Sequence, residues 1–259
     1  RIFKSGSGTF KSVIENIIKL QHKYAKLSRK DSIGALPTIT RFSLSYPREI
    51  IDEYVKLGLE RIHLRPLNKL GKAEKEWAEI GYTAEEFNTF WSNSLDYILE
   101  LNKKGKAIKE SLTVFILKKI FKKRDPLYVD LESPCGAGRS QIVYSQNGDI
   151  YTCDEARMLN KDVFKLGNVL KDKYVNVIKN ENIFYTAQSS LLGLWDYRSA
   201  YSCWSGTCPV LNYHQQGGAV PKITQTSKYK IHNFQFEYIF QKIIEDKEAL
   251  SIFKRWAEN

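Results

Sequence analysis

Cysteine is scarce in this 259-residue sequence, with four residues, Cys135, Cys153, Cys203 and Cys208. So few thiols, in a chain that opens without a secretion signal, argue against a disulfide-stapled fold and favour reduced cysteines used for metal binding or catalysis. Long apolar runs are missing as well. No stretch approaches the eighteen or more apolar residues of a membrane span, because Lys or Glu interrupts each one within a few positions, so a soluble, cytoplasmic protein with no membrane partner is expected. Internal repeats and low-complexity tracts are absent, and with 42% hydrophobic residues the chain can bury one large core or two modest ones. The opening "RIFKSGSGTF" has no initiator Met, no basic lead into an apolar stretch and no cleavage site, and reads as the cut end of a longer chain. The four histidines, His22, His63, His214 and His232, lack metal-ligand spacing. His63 alternates within a short strand and reads as a packed residue.

Positive charge is abundant: the formal net charge is +11. Its lysines are scattered along helical faces such as "LKKIFKKR" (117–124) rather than gathered with glycine and aromatics, so a solvated basic surface is expected rather than a nucleic-acid footprint. An acidic peptide partner remains compatible. Trp91 shares helical spacing with Phe87 and Leu95 and reads as core rather than as a stacking platform for bases.

Hydrophobic periodicity organises the first half. Phe10, Val13, Ile14, Ile17 and Leu20 predict an amphipathic helix from Thr9 to about Leu27. "LPTITRFSL" (36–44) reads as a strand, Pro47 opens a helix that runs to Gly58, and "RIHLRP" (61–66) is a second strand. Thr83 and Glu86 form a capping box for a long helix ending near Gly105, with Phe87, Phe90, Trp91, Leu95, Ile98 and Leu99 on one side. Strand, helix, strand, helix is the order of βαβ units in a parallel sheet. About 130 residues fall short of the roughly 250 of a full eight-fold barrel, so part of a barrel or a small open sheet fits. Beyond "RDPLYVD" the composition turns to glycine, cysteine and turn residues. "QIVYS" and "DIYTC" flank Asn147-Gly148 and predict a hairpin. A loop-rich segment to about Pro221 follows, then one or two helices to the end of the chain.

The cysteines fall into two pairs, Cys135 with Cys153 at the ends of the predicted hairpin and Cys203 with Cys208 in a distant turn. Two converging pairs make a four-thiolate set, suited to a structural zinc or to an iron–sulfur cluster. Neither pair is the tight C-x-x-C knuckle usual in zinc ribbons, which tilts the reading away from zinc. Four unconnected core cysteines are the plainer alternative.

"CGAGRSQIVYSQNGDIYTCDEARMLNKDVFKLGNV" resembles the opening of a SPASM or twitch domain, the auxiliary-cluster module of many radical SAM enzymes. Cys135, twelve residues, Gly148, four residues and Cys153 match its pattern, as does the following "KLGNV". "GSGTFKSVIENI" resembles the helix after the third barrel strand of radical SAM enzymes related to anaerobic sulfatase maturases. "LPTITRFSLSYPREIIDEYVKLGLERIHLRPLN", "YILELNKKG" and "CPVLNY" resemble the maturase of His-Xaa-Ser repeat peptides. The resemblance covers nearly the whole chain. It implies an α/β fold: the C-terminal part of a partial (β/α) barrel over 1–130, a small cysteine-containing α+β SPASM/twitch domain over 131–222, and C-terminal helices over 223–259.

The same resemblance implies a peptide maturase that uses S-adenosyl-L-methionine, a precursor peptide or protein as substrate, and a reducing partner such as flavodoxin or ferredoxin. The C-x3-C-x2-C loop that binds S-adenosylmethionine through its cluster is absent from this sequence, so the chain alone is expected to be inactive. Of the further cysteines of a complete SPASM domain, "YSCWSGTCPV" keeps only Cys203 and Cys208, with Ser205 near the place of another. One auxiliary [4Fe-4S] cluster is therefore expected, on Cys135, Cys153 and Cys208 with Cys203 as fourth ligand, zinc being the alternative. Trp204 would shield it.

By resemblance Asp154, directly after Cys153, is a catalytic base, although a turn hydrogen bond to Asp154 or Glu155 would equally explain a carboxylate there. Ser43 and Arg65, at the ends of the two strands, are expected to touch the ribose or carboxylate of S-adenosylmethionine, with an Arg65 ion pair to Glu53 or Glu60 as the alternative. Against the enzyme stands a second class, a catalytically inactive or zinc-stabilised module that binds peptide or RNA.

Overall fold

Three short chain segments run parallel at the heart of the first half, in a computed structural model that describes residues 6, 8–27, 33–192, 200–201, 204, 206–220 and 222–258. Residues 35–39 form a ladder with 61–65: Ala35 N donates to Arg61 O at 2.8 Å, His63 N to Ala35 O at 2.8 Å, and Arg65 N to Pro37 O at 3.1 Å. Strand β1 (Arg61–Ile62) in turn pairs in parallel with β2 (Lys109–Glu110), Arg61 opposite Lys109 and Ile62 opposite Glu110.

Helix α1 (Phe10–Ala25) forms where its periodicity predicts, but Phe10, Val13 and Leu20 stay exposed while Ile17 packs against the main core. The strand expected over 36–44 is shorter. Arg41–Ser43 winds into a 3₁₀ turn held by a reciprocal cap between Thr40 and Ser43, because two hydroxyls three residues apart satisfy the freed amides locally. Ser43 thus lies in a turn beyond the strand. Between the parallel segments run α2 (Pro47–Lys56), then two single turns, α3 (Lys72–Lys75) and α4 (Trp77–Ile80), and the long α5 (Ala84–Lys103). The predicted capping box is present: Thr83 Oγ1 accepts from Glu86 N at 3.2 Å and Glu86 Oε2 from Thr83 N at 2.7 Å.

β2 leads directly into α6 (Ser111–Lys122), and a 3₁₀ turn follows at Val129–Leu131. β3 (Val143–Tyr144) and β4 (Asp149–Tyr151) are the predicted hairpin, Gly148 at its turn having φ +85°, and β5 (Lys165–Asn168) adds a third antiparallel strand. The segment expected to be loop-rich carries α7 (Asp154–Leu159), the single turn α8 (Tyr174–Val177), α9 (Glu181–Leu192) and α10 (Pro209–Gln216). Helix α9 escapes periodicity because its buried face is made of Thr186, Ser189 and Ser190. Their hydroxyls are satisfied within the helix, Thr186 Oγ1 donating to Asn182 O at 2.7 Å and Ser190 Oγ to Ala187 O at 2.6 Å.

The chain ends on two helices, α11 (Ser227–Glu245) and α12 (Lys247–Glu258). Both pack on α5 and α6, so Phe236, Ile239, Phe253 and Trp256 share one core with Phe87, Phe90, Trp91, Leu95 and Ile98. Trp91 is core, as its spacing implies. Trp204 stacks on Phe240, ring centroids 5.6 Å apart, and joins this same core rather than the one that holds the cysteines. Lys119 departs from the solvated basic face expected at 117–124: its side chain is 9% exposed, with Nζ donating to the carbonyls of Leu131 and Trp204. The described residues form a mixed, helix-rich α/β fold with two small sheets. Among the described residues no helix is long and apolar enough to cross a membrane.

Candidate active site at the carboxyl ends of the parallel strands

Alternation along 61–65 puts Ile62 and Leu64 in the core and turns His63 and Arg65 to the other side, where they line a cavity of about 150 Å³. That is an order of magnitude above the roughly 10–15 Å³ that one water needs. Its remaining walls include the loop after β1, Trp77 of α4, Tyr82 and Ala84 at the start of α5, Leu112 of α6, the 3₁₀ turn at 129–131, the starts of α7 and α10, and one face of α11.

Charged groups concentrate at that junction. Arg65 Nη2 lies 3.2 Å from Glu155 Oε1, and the Glu155 side chain is only 13% exposed. Arg65 therefore pairs with Glu155, ninety residues ahead, rather than with Glu53 or Glu60. Asp154 faces away: it holds Arg157 at 2.7 Å, is 47% exposed, and is not among the cavity walls, whereas its neighbour Glu155 is. Ser43 also lies outside the cavity, its hydroxyl engaged with Thr40. Of the residues expected to hold cofactor or metal or to act as base, the cavity thus gathers Arg65 and Cys208.

Asp130 and Lys228 form the second charged pair, Oδ1 to Nζ 3.2 Å. Tyr128 donates its hydroxyl to Asp130 Oδ2 at 3.1 Å and stands 3.5 Å from His63 Nε2. Burial works against the Asp130 carboxylate, but the Lys228 ammonium, His232 and the Tyr128 hydroxyl together outweigh it and hold the acid well below the usual range. The carboxylate in turn keeps Lys228 charged despite its own burial. Burial and the Lys228 charge push His232 down to about 3, so its ring is neutral. Burial, reinforced by Asp130, raises the Tyr128 phenol. Neither Asp130 nor Lys228, His232 and Gln235 were marked by a motif. The available signal was α11 itself, where Lys228, His232 and Gln235 interrupt an apolar face at helical spacing, the pattern of a helix that borders a site.

The cysteines lie beside this cavity. Cys135, Cys153 and Cys208 are 6%, 5% and 9% exposed and share one small core with Tyr151, Ala156 and Phe164. Hairpin geometry and helix starts position them. Cys135 N donates to Ser190 Oγ at 2.8 Å, Cys153 caps α7 with its Sγ accepting from Ala156 N at 3.4 Å, and Cys208 precedes α10. Gly206 lets the segments that bear Cys135 and Cys208 approach: a Cβ there would meet Glu132 O at 2.1 Å. All three thiols are free. Burial raises them, Cys208 to about 12, and Cys153 is raised further by Cys208 and Glu155. Cys203 and Ser205 lie outside the described residues. Among the described residues no group of three or more His, Cys, Asp or Glu is arranged to hold a metal ion. By donor chemistry the three thiols suit a thiophilic group, since buried thiols lose their protons chiefly to a metal.

No protein-family model matches the chain, and no curated protein matches it. Solved structures do. The histidine-tagged anSMEcpe with bound AdoMet aligns over 100% of this chain and 64% of its own, at 17% identity and a TM-score of 0.73. Native anSMEcpe with bound AdoMet and Kp18Cys peptide aligns over 98% of this chain and 65% of its own, at 14% identity and 0.70. With AdoMet and Cp18Cys peptide the values are 97%, 65%, 16% and 0.69. The chain therefore has, over its whole length, the fold of about two thirds of anSMEcpe, an anaerobic sulfatase-maturating enzyme of the radical SAM/SPASM kind.

Proposed function

We propose that this chain is the C-terminal part of a radical SAM enzyme that modifies a ribosomally made peptide or protein, with residues 1–130 as part of a partial barrel, 131–222 as a reduced SPASM or twitch domain and 223–259 as closing helices. The observation that carries the reading is the cavity: it opens at the carboxyl ends of parallel strands, where α/β enzymes gather their ligands, and its wall includes one of three clustered thiols. The likeness to anSMEcpe structures that hold AdoMet and peptide supports the same assignment of ligands.

Cys135, Cys153 and Cys208, with Cys203 as the fourth, hold one auxiliary [4Fe-4S] cluster in this reading. When bound, such a cluster takes up an electron or anchors the peptide. A zinc ion would need its sulfurs about 2.3 Å from one point, whereas a cluster offers a separate iron to each thiolate. Arg65 binds the carboxylate or ribose of AdoMet, by resemblance together with Ser43 from the turn beyond the strand, and the electron comes from a flavodoxin- or ferredoxin-like partner in the cytoplasm. The chain by itself lacks the cysteines that make AdoMet reactive. The substrate's proton acceptor is one of the adjacent carboxylates, Asp154 by resemblance or Glu155 by its place in the cavity wall. In the enzyme that includes this chain, product formation lost in Glu155→Gln and kept in Asp154→Asn assigns the base to Glu155, and the reverse assigns it to Asp154.

Iron, sulfide and zinc content of the anaerobically purified chain, with its visible spectrum, tests the reading. About four irons and four sulfides with a broad brown band are expected, and Cys153→Ala should lose them. One zinc and no colour, or undiminished iron in Cys153→Ala, refutes it.

A further inference from the structure

Gln235 sits on α11 in the wall of the cavity, fully buried, and both polar atoms of its carboxamide, Oε1 and Nε2, lack a hydrogen-bond partner among the described residues. Buried side-chain amides are ordinarily satisfied, and one left open on both its donor and its acceptor side calls for an explanation. Other buried polar atoms without partners, Asn88 Oδ1, Trp91 Nε1 and Thr152 Oγ1, belong to residues outside the cavity wall. The neighbours of Gln235 along the same helix face, Lys228 and His232, are committed elsewhere or neutral, Lys228 to Asp130. With the Lys228 ammonium already paired, Gln235 presents an open donor and acceptor on the face of α11 that walls the cavity.

We propose that Gln235 is a specificity-determining residue that reads an amide edge of the bound substrate. The ligand group must offer an acceptor to Nε2 and a donor to Oε1 side by side. One residue of an extended main chain does so, because its own N–H and C=O point the same way, and so does a primary carboxamide side chain. An ester, ether or hydrocarbon of equal size supplies no donor. The inference rests on the proposed peptide site and names what that site selects.

The test uses the ¹⁵N-labelled chain, the Gln235 side-chain NH₂ signal being identified by its disappearance in Gln235→Met. The probes are N-acetylglycine N-methylamide for the main chain, acetamide for the side chain, and methyl acetate as the control without a donor. We expect saturable shifts of the Gln235 signal with at least one amide, binding about fivefold or more tighter than the ester. Tighter binding of the first probe assigns a main-chain partner and of the second a carboxamide side chain. In Gln235→Met the amide preference disappears while the melting temperature holds or rises, since the variant removes two unpaired buried atoms. Gln235→Glu, which loses the donor but keeps the acceptors that meet the ligand's N–H, should retain the preference, since the ester lacks that N–H. Equal binding of ester and amides, no binding of any probe, or an amide preference undiminished in Gln235→Met overturns the proposal. Iron content separates it from the cluster reading: iron equal in parent and Gln235→Met leaves the cluster standing if the amide preference fails. An amide preference without iron in the parent sinks the cluster alone.

Discussion

Acid should weaken this fold through one imidazole. His232 is 7% exposed on the buried face of α11 and faces Lys228 of the same helix, Asp130 of the 3₁₀ turn, His63 of the parallel sheet and Lys119 of α6. Burial first, and then the Lys228 charge, lower its pKa from 6.5 to about 3, Asp130 opposing them. A histidine depressed in the folded state binds its proton only on unfolding, so stability is full above pH 6.5 and falls as the pH drops toward 3. Between pH 7 and pH 5 the unfolded imidazole goes from mostly neutral to almost fully charged while the folded one stays neutral, which amounts to a loss of about 2 kcal/mol. Asp130 and Asp149, whose carboxyls are depressed in the fold, contribute their own losses only below about pH 4, outside this window. Urea unfolding of the metal-free chain at pH 7, 6 and 5 measures the slope, and His232→Gln removes the titrating group. The wild type should lose about 2 kcal/mol over the two units and the variant less than about 0.5. A wild-type loss below about 0.5 kcal/mol, or an equal loss in the variant, refutes the assignment of a buried neutral ring.

Two further perturbations probe the frame around the cavity. Glu110 is fully buried and accepts from Thr113 N at 2.7 Å, Thr113 Oγ1 at 2.8 Å and Leu64 N at 3.4 Å, so it caps α6 and ties it to the parallel sheet. Glu110→Ala strands those donors and should cost about 2–4 kcal/mol by denaturant titration; a loss under about 0.5 kcal/mol would show that the cap is dispensable. Gly206→Ala drives a methyl into the Glu132 carbonyl, and the segment bearing Cys208 must shift. Gly206→Ser adds the same Cβ, so both variants should lose iron relative to the parent, and iron held at the parent level by either would refute the close approach.

Local signals in the sequence were read well where one face of an element faces one core. The 3.6-residue stripe from Phe87 to Leu99 needed only a hydrophobic partner, and whichever helices supplied it, that stripe would be buried. The Thr83–Glu86 cap and the Asn147-Gly148 turn depend on contacts within three residues, so they form from the sequence alone. Helix α9 was invisible for the opposite reason: its buried face is hydroxyls that satisfy themselves on their own backbone, leaving no apolar period to count. The strand at 36–44 ends sooner than its β-branched run implies because a hydroxyl pair at Thr40 and Ser43 turns the chain early.

The candidate site divides along the same line. Sequence by itself determined that the thiols at 135 and 153 close a hairpin and that a basic residue ends the second strand, since spacing and alternation fix both. Only the tertiary structure decided that Glu155 rather than Asp154 turns to the cavity and takes Arg65, that Trp204 joins the main core, and that Asp130, Lys228, His232 and Gln235 line one wall. Each of those outcomes joins residues tens of positions apart. An ion pair such as Arg65 with Glu155 exists only where helices and sheet hold both partners within a few ångströms, and no local period of the sequence carries that distance.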